Sequence, residues 1–334
     1  MKRLLFVAEI SANHLGSLNR AHELIEAAAE SGASAIKLQT YKPDSMTLNL
    51  SAFSVSASHS LWGGINLYQL YKEAMTPWEW HEELFEHAKK IGMQAFSSPF
   101  DIDAVDFLEK LQCPIYKIAS LETGDLDLIS YTASKGKPII ISTGASTLFE
   151  IEQAVAAAEV VQHQLTLLVC TSAYPTEPED AHISRIRTLK EKFKIDVGLS
   201  DHTLGIGASV AAIALGATII EKHLTIKRAD GGHDAMFSLE PSEFRLLVDE
   251  GKKAHASLGN PEWIIQESEA ESRRLRRSLY VSKDVKKGEL ATRDNVKALR
   301  PNTGGPICHL GDILGKRFIT DLKMGDPATT SIVE

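Results

Sequence analysis

The run V-G-L-S-D-H-T (197–203) carries an apolar strand into Ser200, Asp201 and His202. One helix later A-T-I-I-E-K-H (217–223) also ends on a histidine. Residues two apart on a strand share a face, so Ser200 goes with His202 and Glu221 with His223. If the two strands are parallel neighbours, both imidazoles emerge at one rim beside a carboxylate, a donor set suited to a divalent cation. A single histidine at a strand end is more often a hydrogen-bonded structural residue; the pair is what points to a metal.

Two lysines add a second chemistry. Lys37 in A-I-K-L-Q-T (35–40) and Lys117 in P-I-Y-K-I-A (114–119) interrupt apolar strands. A lysine enclosed among strands has to be paired or to bind an anion. Ser120 and the S-T-G of 142–144 add hydroxyls and a helix start, which favour a phosphate or carboxylate. On the residues alone three readings stay open: an anion site, an internal salt bridge to Glu9, or a Schiff-base lysine. Metal, anion site and carboxylates together suggest a carbonyl electrophile activated by a Lewis acid, with a phosphorylated co-substrate. A histidine-rich amidohydrolase barrel would carry H-x-H on its first strand, and this chain does not.

The elements that must position these groups alternate. Apolar strands are expected at 4–10, 35–40, 94–97, 114–119, 138–141, 165–170, 197–203 and 217–223, most of them followed by a helix. Runs buried on both faces mean a parallel sheet, and eight β/α units in this length mean a (β/α)₈ TIM barrel. An open doubly wound sheet would need a Gly-rich nucleotide turn after an early strand, which is missing. In a barrel the C-terminal strand ends carry the chemistry. Here those ends hold Glu9, Lys37, Gln39, Ser97, Lys117, Ser120, Ser142, Thr143, Tyr174, Ser200, His202, Glu221 and His223. Residues 41–75, with Trp62, Tyr68 and Tyr71, read as a long irregular lid or substrate loop, and Thr76-Pro77-Trp78-Glu79 as the capped start of a helix.

The domain plan is a barrel at 1–257, a linker at 258–277 whose arginines form a solvated helical face, and a small β domain at 278–334. That last part repeats itself weakly, S-K-D-V-K-K-G-E (282–289) against T-D-L-K-M-G-D (320–326). It is too small to be stable without docking on something.

Bulk properties narrow the class. With 334 residues, 43% hydrophobic and 24% charged, the chain is an ordinary globular protein. A net charge of −8 argues against nucleic-acid binding, and no apolar run reaches a membrane span. The opening M-K-R-L-L-F-V-A-E-I meets Glu9 too early for a signal peptide and reads as a buried strand. Cys113, Cys170 and Cys308 are too scattered for a disulfide framework or zinc cluster and fit a reducing cytoplasm.

The runs E-I-S-A-N-H (9–14), I-K-L-Q-T (36–40), S-S-P-F-D (97–101), Y-K-I-A-S (116–120), C-T-S-A-Y-P-T (170–176), G-L-S-D-H-T (198–203) and E-K-H (221–223) together resemble the sialic acid synthase family over essentially the whole chain. The tail resembles the antifreeze-like (SAF) domain, a small β-clip-like fold. Within the family, residues 61–81 and 230–241 look most like the branch that makes pseudaminic acid. The resemblance implies condensation of phosphoenolpyruvate with an amino-sugar aldose, a 6-deoxy diacetamido hexose for that branch. Legionaminic or N-acetylneuraminic acid synthesis is the nearest alternative, and a non-catalytic carbohydrate- or ice-binding protein the alternative of a different class. It implies Mn²⁺ or Mg²⁺ on His202 and His223, phosphoenolpyruvate on Lys37, Lys117, Ser120, Ser142 and Ser200, and Glu9, Lys117, Tyr174 and Glu221 around the reacting carbons. Gln39, Asp234 and Arg300 would touch the sugar. Arg300 would reach the partner's site in a domain-swapped homodimer. Ser172 stands where sialic acid makers commonly carry asparagine, and Gly232-His233 precede Asp234 where they read G-P-D. Both departures touch the sugar side and count against N-acetylmannosamine.

Overall fold

In a computed structural model, which describes residues 4–57 and 61–334, the chain divides into two compact units, Met1–Gly259 and Asn260–Glu334. The basic tip at residues 1–3 falls outside the described residues.

The first unit is a closed eight-stranded parallel barrel. In chain order it runs β1 (Leu5–Glu9), α1 (Leu18–Glu30), β2 (Ala35–Thr40), α2 (Pro43–Met46), α3 (Leu67–Ala74), α4 (His81–Lys90), β3 (Gln94–Pro99), α5 (Ile102–Lys110), β4 (Tyr116–Ile118), α6 (Leu126–Ala133) and β5 (Ile139–Ser142). It continues α7 (Leu148–Ala157), β6 (Leu165–Cys170), α8 (Arg185–Phe193), β7 (Asp196–Asp201), α9 (Gly207–Ala214), β8 (Ile219–His223) and α10 (Pro241–Ser257). The strands are apolar on both faces because one face fills the barrel and the other meets the helices; Ile139, Ile140 and Ile141 are all buried. α1 turns Ala21, Leu24, Ile25 and Ala28 inward at helical spacing, and Ser17 accepts a hydrogen bond from Arg20 N at its start. Truncating Leu24 to alanine in this packing costs about 2–5 kcal/mol. Gly198 on β7 has to be a glycine, since a Cβ there would lie 2.3 Å from the Ile219 carbonyl oxygen of β8.

The barrel register aligns the chemistry. Glu9 is level with Lys37 of β2 on one side and with His223 of β8 on the other. Ser200 is level with Glu221, and Asp201 with Lys222.

Two expectations are corrected here. Residues 41–75 are not irregular throughout: α2 and α3 lie within them, and Ser54 bridges Asn66 so that the chain doubles back between. Thr76 caps no helix. A 3₁₀ turn, Trp78–Trp80, intervenes before α4, and the buried Thr76 hydroxyl has no hydrogen-bond partner.

The second unit contains α11 (Ala270–Arg274), β9 (Ser278–Val281), β10 (Val296–Leu299) and α12 (Leu310–Ile313). β9 and β10 pair antiparallel over a core that includes Leu279, Val281, Val285 and Phe318. The sequence repeat becomes a reciprocal clasp. Val285 and Leu322 exchange both backbone hydrogen bonds, Lys286 pairs with Asp321 at 2.8 Å, and Lys323 pairs with Asp284 at 2.7 Å. Arg273, Arg274, Arg276 and Arg277 are all exposed.

Candidate active site

Alternation on β2, β4, β7 and β8 sends Lys37, Lys117, Ser200, Glu221 and His223 to the barrel interior, where they line one cavity of about 340 Å³. The same cavity receives Gln39, Ser120, Ser142, Tyr174, His202 and Asp234. Eleven of the thirteen site residues expected from the sequence therefore meet in one place. Glu9 does not line the cavity. It is wholly buried beside Lys37, to which its carboxylate is ion-paired, and its Oε1 accepts from Ser11 N at 2.7 Å. Arg300 lies in the second unit, exposed, one residue past β10.

The charged floor is tightly coupled. Glu221 Oε1 lies 3.7 Å from Lys37 Nζ and 3.9 Å from Lys117 Nζ, and accepts from Ser200 Oγ at 3.0 Å. Burial opposes its charge, but Lys117 and Lys37 hold the Glu221 carboxyl down at about 2. Burial also works against Lys37, which the Glu221 and Glu9 carboxylates nonetheless carry above its ordinary value. Lys117 has no such surplus: burial pushes it below its ordinary value in spite of Glu221, and Lys37 adds to the fall. Lys37 is ion-paired with Glu9 as well as facing Glu221, whereas among the described residues Lys117 has Glu221 alone as an ion-pair partner, at 3.9 Å, so Lys117 is the ammonium group with attraction left for a further anion. Beside it the Ser142 hydroxyl is buried with no hydrogen-bond partner, and Gly144 N donates to Ser120 Oγ at 3.1 Å. A Cβ at Gly144 would fall 2.3 Å from Ser172 Oγ, so the backbone is free to approach only because that side chain is missing.

The two imidazoles have ring centroids 5.3 Å apart. His202 Nδ1 donates to the Thr171 carbonyl at 3.0 Å, which leaves Nε2 as its ligating nitrogen. His223 Nδ1 lies 3.2 Å from Asp234 Oδ2 yet is buried without an aligned hydrogen bond. Two buried imidazoles, one carrying an unsatisfied nitrogen that faces a carboxylate, fit a divalent cation whose other positions are open. Three or more His, Cys, Asp or Glu side chains with metal-holding geometry do not occur together among the described residues. Phe237 packs edge-on against both rings. Tyr174 tilts over His202 at 4.5 Å, and burial raises its phenol well above the ordinary range.

Among the cavity residues that the sequence did not single out, Glu122 carries chemistry. Glu122 sits in the 3₁₀ turn Ser120–Glu122 after β4, lines the cavity, and its buried Oε2 has no hydrogen-bond partner. Burial lifts this carboxyl to about 7, against the pull of Lys117.

The stretch after β2 lines the cavity through Tyr41, Met46, Val55, Trp62, Leu70 and Tyr71. Tyr41 O–H donates to the Tyr71 carbonyl at 3.3 Å on the β2 side. Trp62 Nε1 donates to the His233 carbonyl at 3.0 Å, after β8, and its ring lies 5.5 Å from that of Tyr174, after β6.

Comparison with known proteins agrees with the barrel fold. The model of the NeuB family matches residues 24–262, and that of the SAF domain residues 276–334. Pseudaminic acid synthase of Campylobacter jejuni is 43% identical over 97% of this chain and 95% of its own length. N,N'-diacetyllegionaminic acid synthase of the same organism is 37% identical over 95% of this chain and 96% of its own. The crystal structure of N-acetylneuraminic acid (sialic acid) synthetase from Leptospira borgpetersenii serovar Hardjo-bovis, in complex with citrate, superposes with a TM-score of 0.73 at 33% identity, covering 81% of this chain and 90% of that one. The family model over residues 24–262, the SAF model over residues 276–334 and these relatives over nearly the whole chain establish that the protein belongs to the NeuB family and ends in a SAF domain.

Proposed function

We propose that the protein condenses phosphoenolpyruvate with a 6-deoxy diacetamido hexose, releasing phosphate and a nonulosonic acid of the pseudaminic type. The higher identity to the pseudaminic than to the legionaminic enzyme supports that branch. The observation that carries the reaction is the joining, in one cavity, of a two-lysine anion floor with a pair of imidazoles.

Lys37, Lys117, Ser120, Ser142 and Ser200 hold the phosphate and carboxylate of phosphoenolpyruvate, the ammonium groups by charge and the hydroxyls by hydrogen bonds. His202 and His223 would hold Mn²⁺ or Mg²⁺, which when bound supplies polarisation of the sugar's aldehyde oxygen. Asp234 and Gln39 orient the sugar. C3 of the enol forms the new bond to the aldehyde carbon as its C=O π bond opens, the aldehyde oxygen takes a proton from solvent to become a hydroxyl, and positive charge develops at C2. Glu221, ionised at any working pH, stabilises that charge but is too weak a base to take a proton. Glu122, poised near 7, accepts the proton of the water that adds to C2. The C2–O bond to phosphate then breaks as the C2 hydroxyl gives up its proton and becomes the ketone, and Lys117, with its lowered affinity for a proton, gives a proton to the leaving phosphate. Tyr174 keeps its proton and donates a hydrogen bond. Glu9 acts through Lys37, which it fixes in place.

On the same reading Arg300 of one subunit contacts the sugar in the other, within a domain-swapped homodimer. The enzyme works in the cytoplasm, a placement in keeping with the absence, among the described residues, of a helix long and apolar enough to cross a membrane. The test is phosphate release from phosphoenolpyruvate with a panel of amino sugars, followed by product identification. Release with the diacetamido hexose alone supports the proposal; release with N-acetylmannosamine in preference rejects the branch.

A further inference from the structure

The two lysines of the cavity floor are not equivalent. Lys37 is ion-paired with Glu9, faces Glu221 at 3.7 Å and lies 3.5 Å from Ser98 Oγ. Lys117 donates to the Ile118 carbonyl at 3.1 Å and stands 3.9 Å from Glu221 Oε1. Both are buried and both line the cavity. A buried ammonium gripped by carboxylates keeps its proton, whereas one gripped more loosely gives it up and becomes a nucleophile. The two lysines divide in that sense. Against burial, carboxylates carry Lys37 above its ordinary value; burial takes Lys117 below its own.

Two further features suit an amine at this place. Glu122 lines the same cavity, and its buried Oε2 has no hydrogen-bond partner among the described residues. Burial lifts this carboxyl to about 7, and Lys117 is the charge that pulls it back, so the two groups feel each other. A carboxyl so poised can accept a proton and return it near neutrality. The second feature is a set of hydroxyls on the floor, Ser120, Ser142 and Ser200. That of Ser142 is buried and, among the described residues, unpartnered. Hydroxyls of this kind donate to a carboxylate. An amine, a proton carrier and carboxylate-binding hydroxyls in one enclosed space match a molecule whose carbonyl stands next to its carboxylate.

We propose that Lys117 is a nucleophilic amine that forms an imine with the C2 carbonyl of small 2-oxo acids, so that the cavity floor is also a reversible covalent site for them. The Lys117 ammonium passes a proton to the Glu122 carboxylate, and the freed nitrogen bonds to C2. The carbonyl π pair moves to oxygen, which takes that proton back from Glu122 and becomes a hydroxyl. A further proton leaves the nitrogen for Glu122 and goes on to the hydroxyl, which departs as water while the nitrogen lone pair closes the C=N bond. Ammonium and ketone thus give a protonated imine and water, with no oxidant or reductant consumed. The step uses neither the imidazoles nor an enol, and it stands apart from the condensation. A 2-oxo acid held this way occupies the floor until water reverses the imine.

The experiment incubates the full chain with pyruvate and sodium cyanoborohydride, which reduces an imine to a stable secondary amine, and maps adducts by peptide mass spectrometry. A single adduct on Lys117 is expected. It should be lost in Lys117→Arg, whose guanidinium is no nucleophile, with a cooperative melt retained. Glu122→Gln is expected to slow the labelling at least about tenfold; labelling at the wild-type rate overturns the part given to Glu122. No adduct, an adduct on Lys37 in preference, or equal labelling of many surface lysines overturns the assignment of Lys117. If phosphate release with an amino sugar continues in such a sample, the condensation stands without it. Phosphoenolpyruvate is expected to slow the labelling by competing for the floor. Labelling of Lys117 that phosphoenolpyruvate leaves unchanged supports the amine and counts against the condensation reading.

Discussion

Lys222 Nζ lies 2.8 Å from Asp201 Oδ2, both side chains closed off from solvent on the outer face of β7 and β8. Asp201 also accepts from Thr203 N, Thr203 Oγ1 and Ser209 Oγ, and Lys222 donates to the Thr203 carbonyl at 2.6 Å. The immediate neighbours of this pair along the chain are Ser200, His202, Glu221 and His223. The pair thus ties together, from behind, the two strand ends that carry the imidazoles. A buried ion pair adds little net stability, but breaking one strands a charge at a cost of about 3–5 kcal/mol. Lys222→Met is expected to lower stability by that amount in denaturant unfolding, and Lys222→Met combined with Asp201→Leu to recover most of it. If the double replacement recovers stability but weakens Mn²⁺ binding, the pair serves position and not strength.

Glu122 gives the reaction a pH signature. A base that must be ionised and titrates at about 7 makes kcat/KM rise with pH through that value. Glu122→Gln is expected to remove the limb and to cut kcat by roughly 10²–10⁴-fold. Persistence of the limb in the variant would assign it to another group.

The imidazoles can be tested without turnover. His202→Ala and His223→Ala are each expected to abolish Mn²⁺ binding, read by electron paramagnetic resonance, and to abolish turnover with a cooperative melt retained. Burial opposes charge on His202, yet Cys170 raises its affinity for a proton above the ordinary value. Proton and cation then compete for the ring, so cation affinity in the wild type falls as pH falls. Full activity of both variants in chelator would exclude the metal role.

Acid sensitivity is built in nearby. Burial lowers both His14 and His81 to about 4. His81 Nδ1 donates to the Pro77 carbonyl at 3.1 Å and its Nε2 accepts from Thr40 Oγ1 at 2.8 Å, which leaves the neutral ring satisfied. Between about 4 and 6.5 the unfolded chain binds protons that the native ring does not, so the contribution is whole above 6.5 and is lost as pH falls toward 4. The loss is on the order of 1 kcal/mol per pH unit per histidine. Thermal melts from pH 7 to 5 should show it, with a shallower slope in His81→Gln.

The barrel was legible because its strands announce themselves twice, as apolar runs and as runs that end in polar residues. Lys37 and Lys117 could be placed inside because a period of two leaves them no other face. Glu122 escaped notice since it lies four residues beyond β4 in a 3₁₀ turn, where no periodicity tells inward from outward. The Asp201–Lys222 tie escaped for the opposite reason: attention to the inward face passes over the alternate residues. Thr76-Pro77-Trp78-Glu79 has the spelling of a helix start, but Pro77 remains extended, and a tight turn comes before the helix.

The reciprocal turns of the tail make it an indivisible piece. Asp284 fastens the backbone amide of Met324, and Asp321 that of Lys287, so each copy completes the other. A stop codon between them would remove the second copy and leave Asp284, Lys286 and Lys287 of the first without these partners.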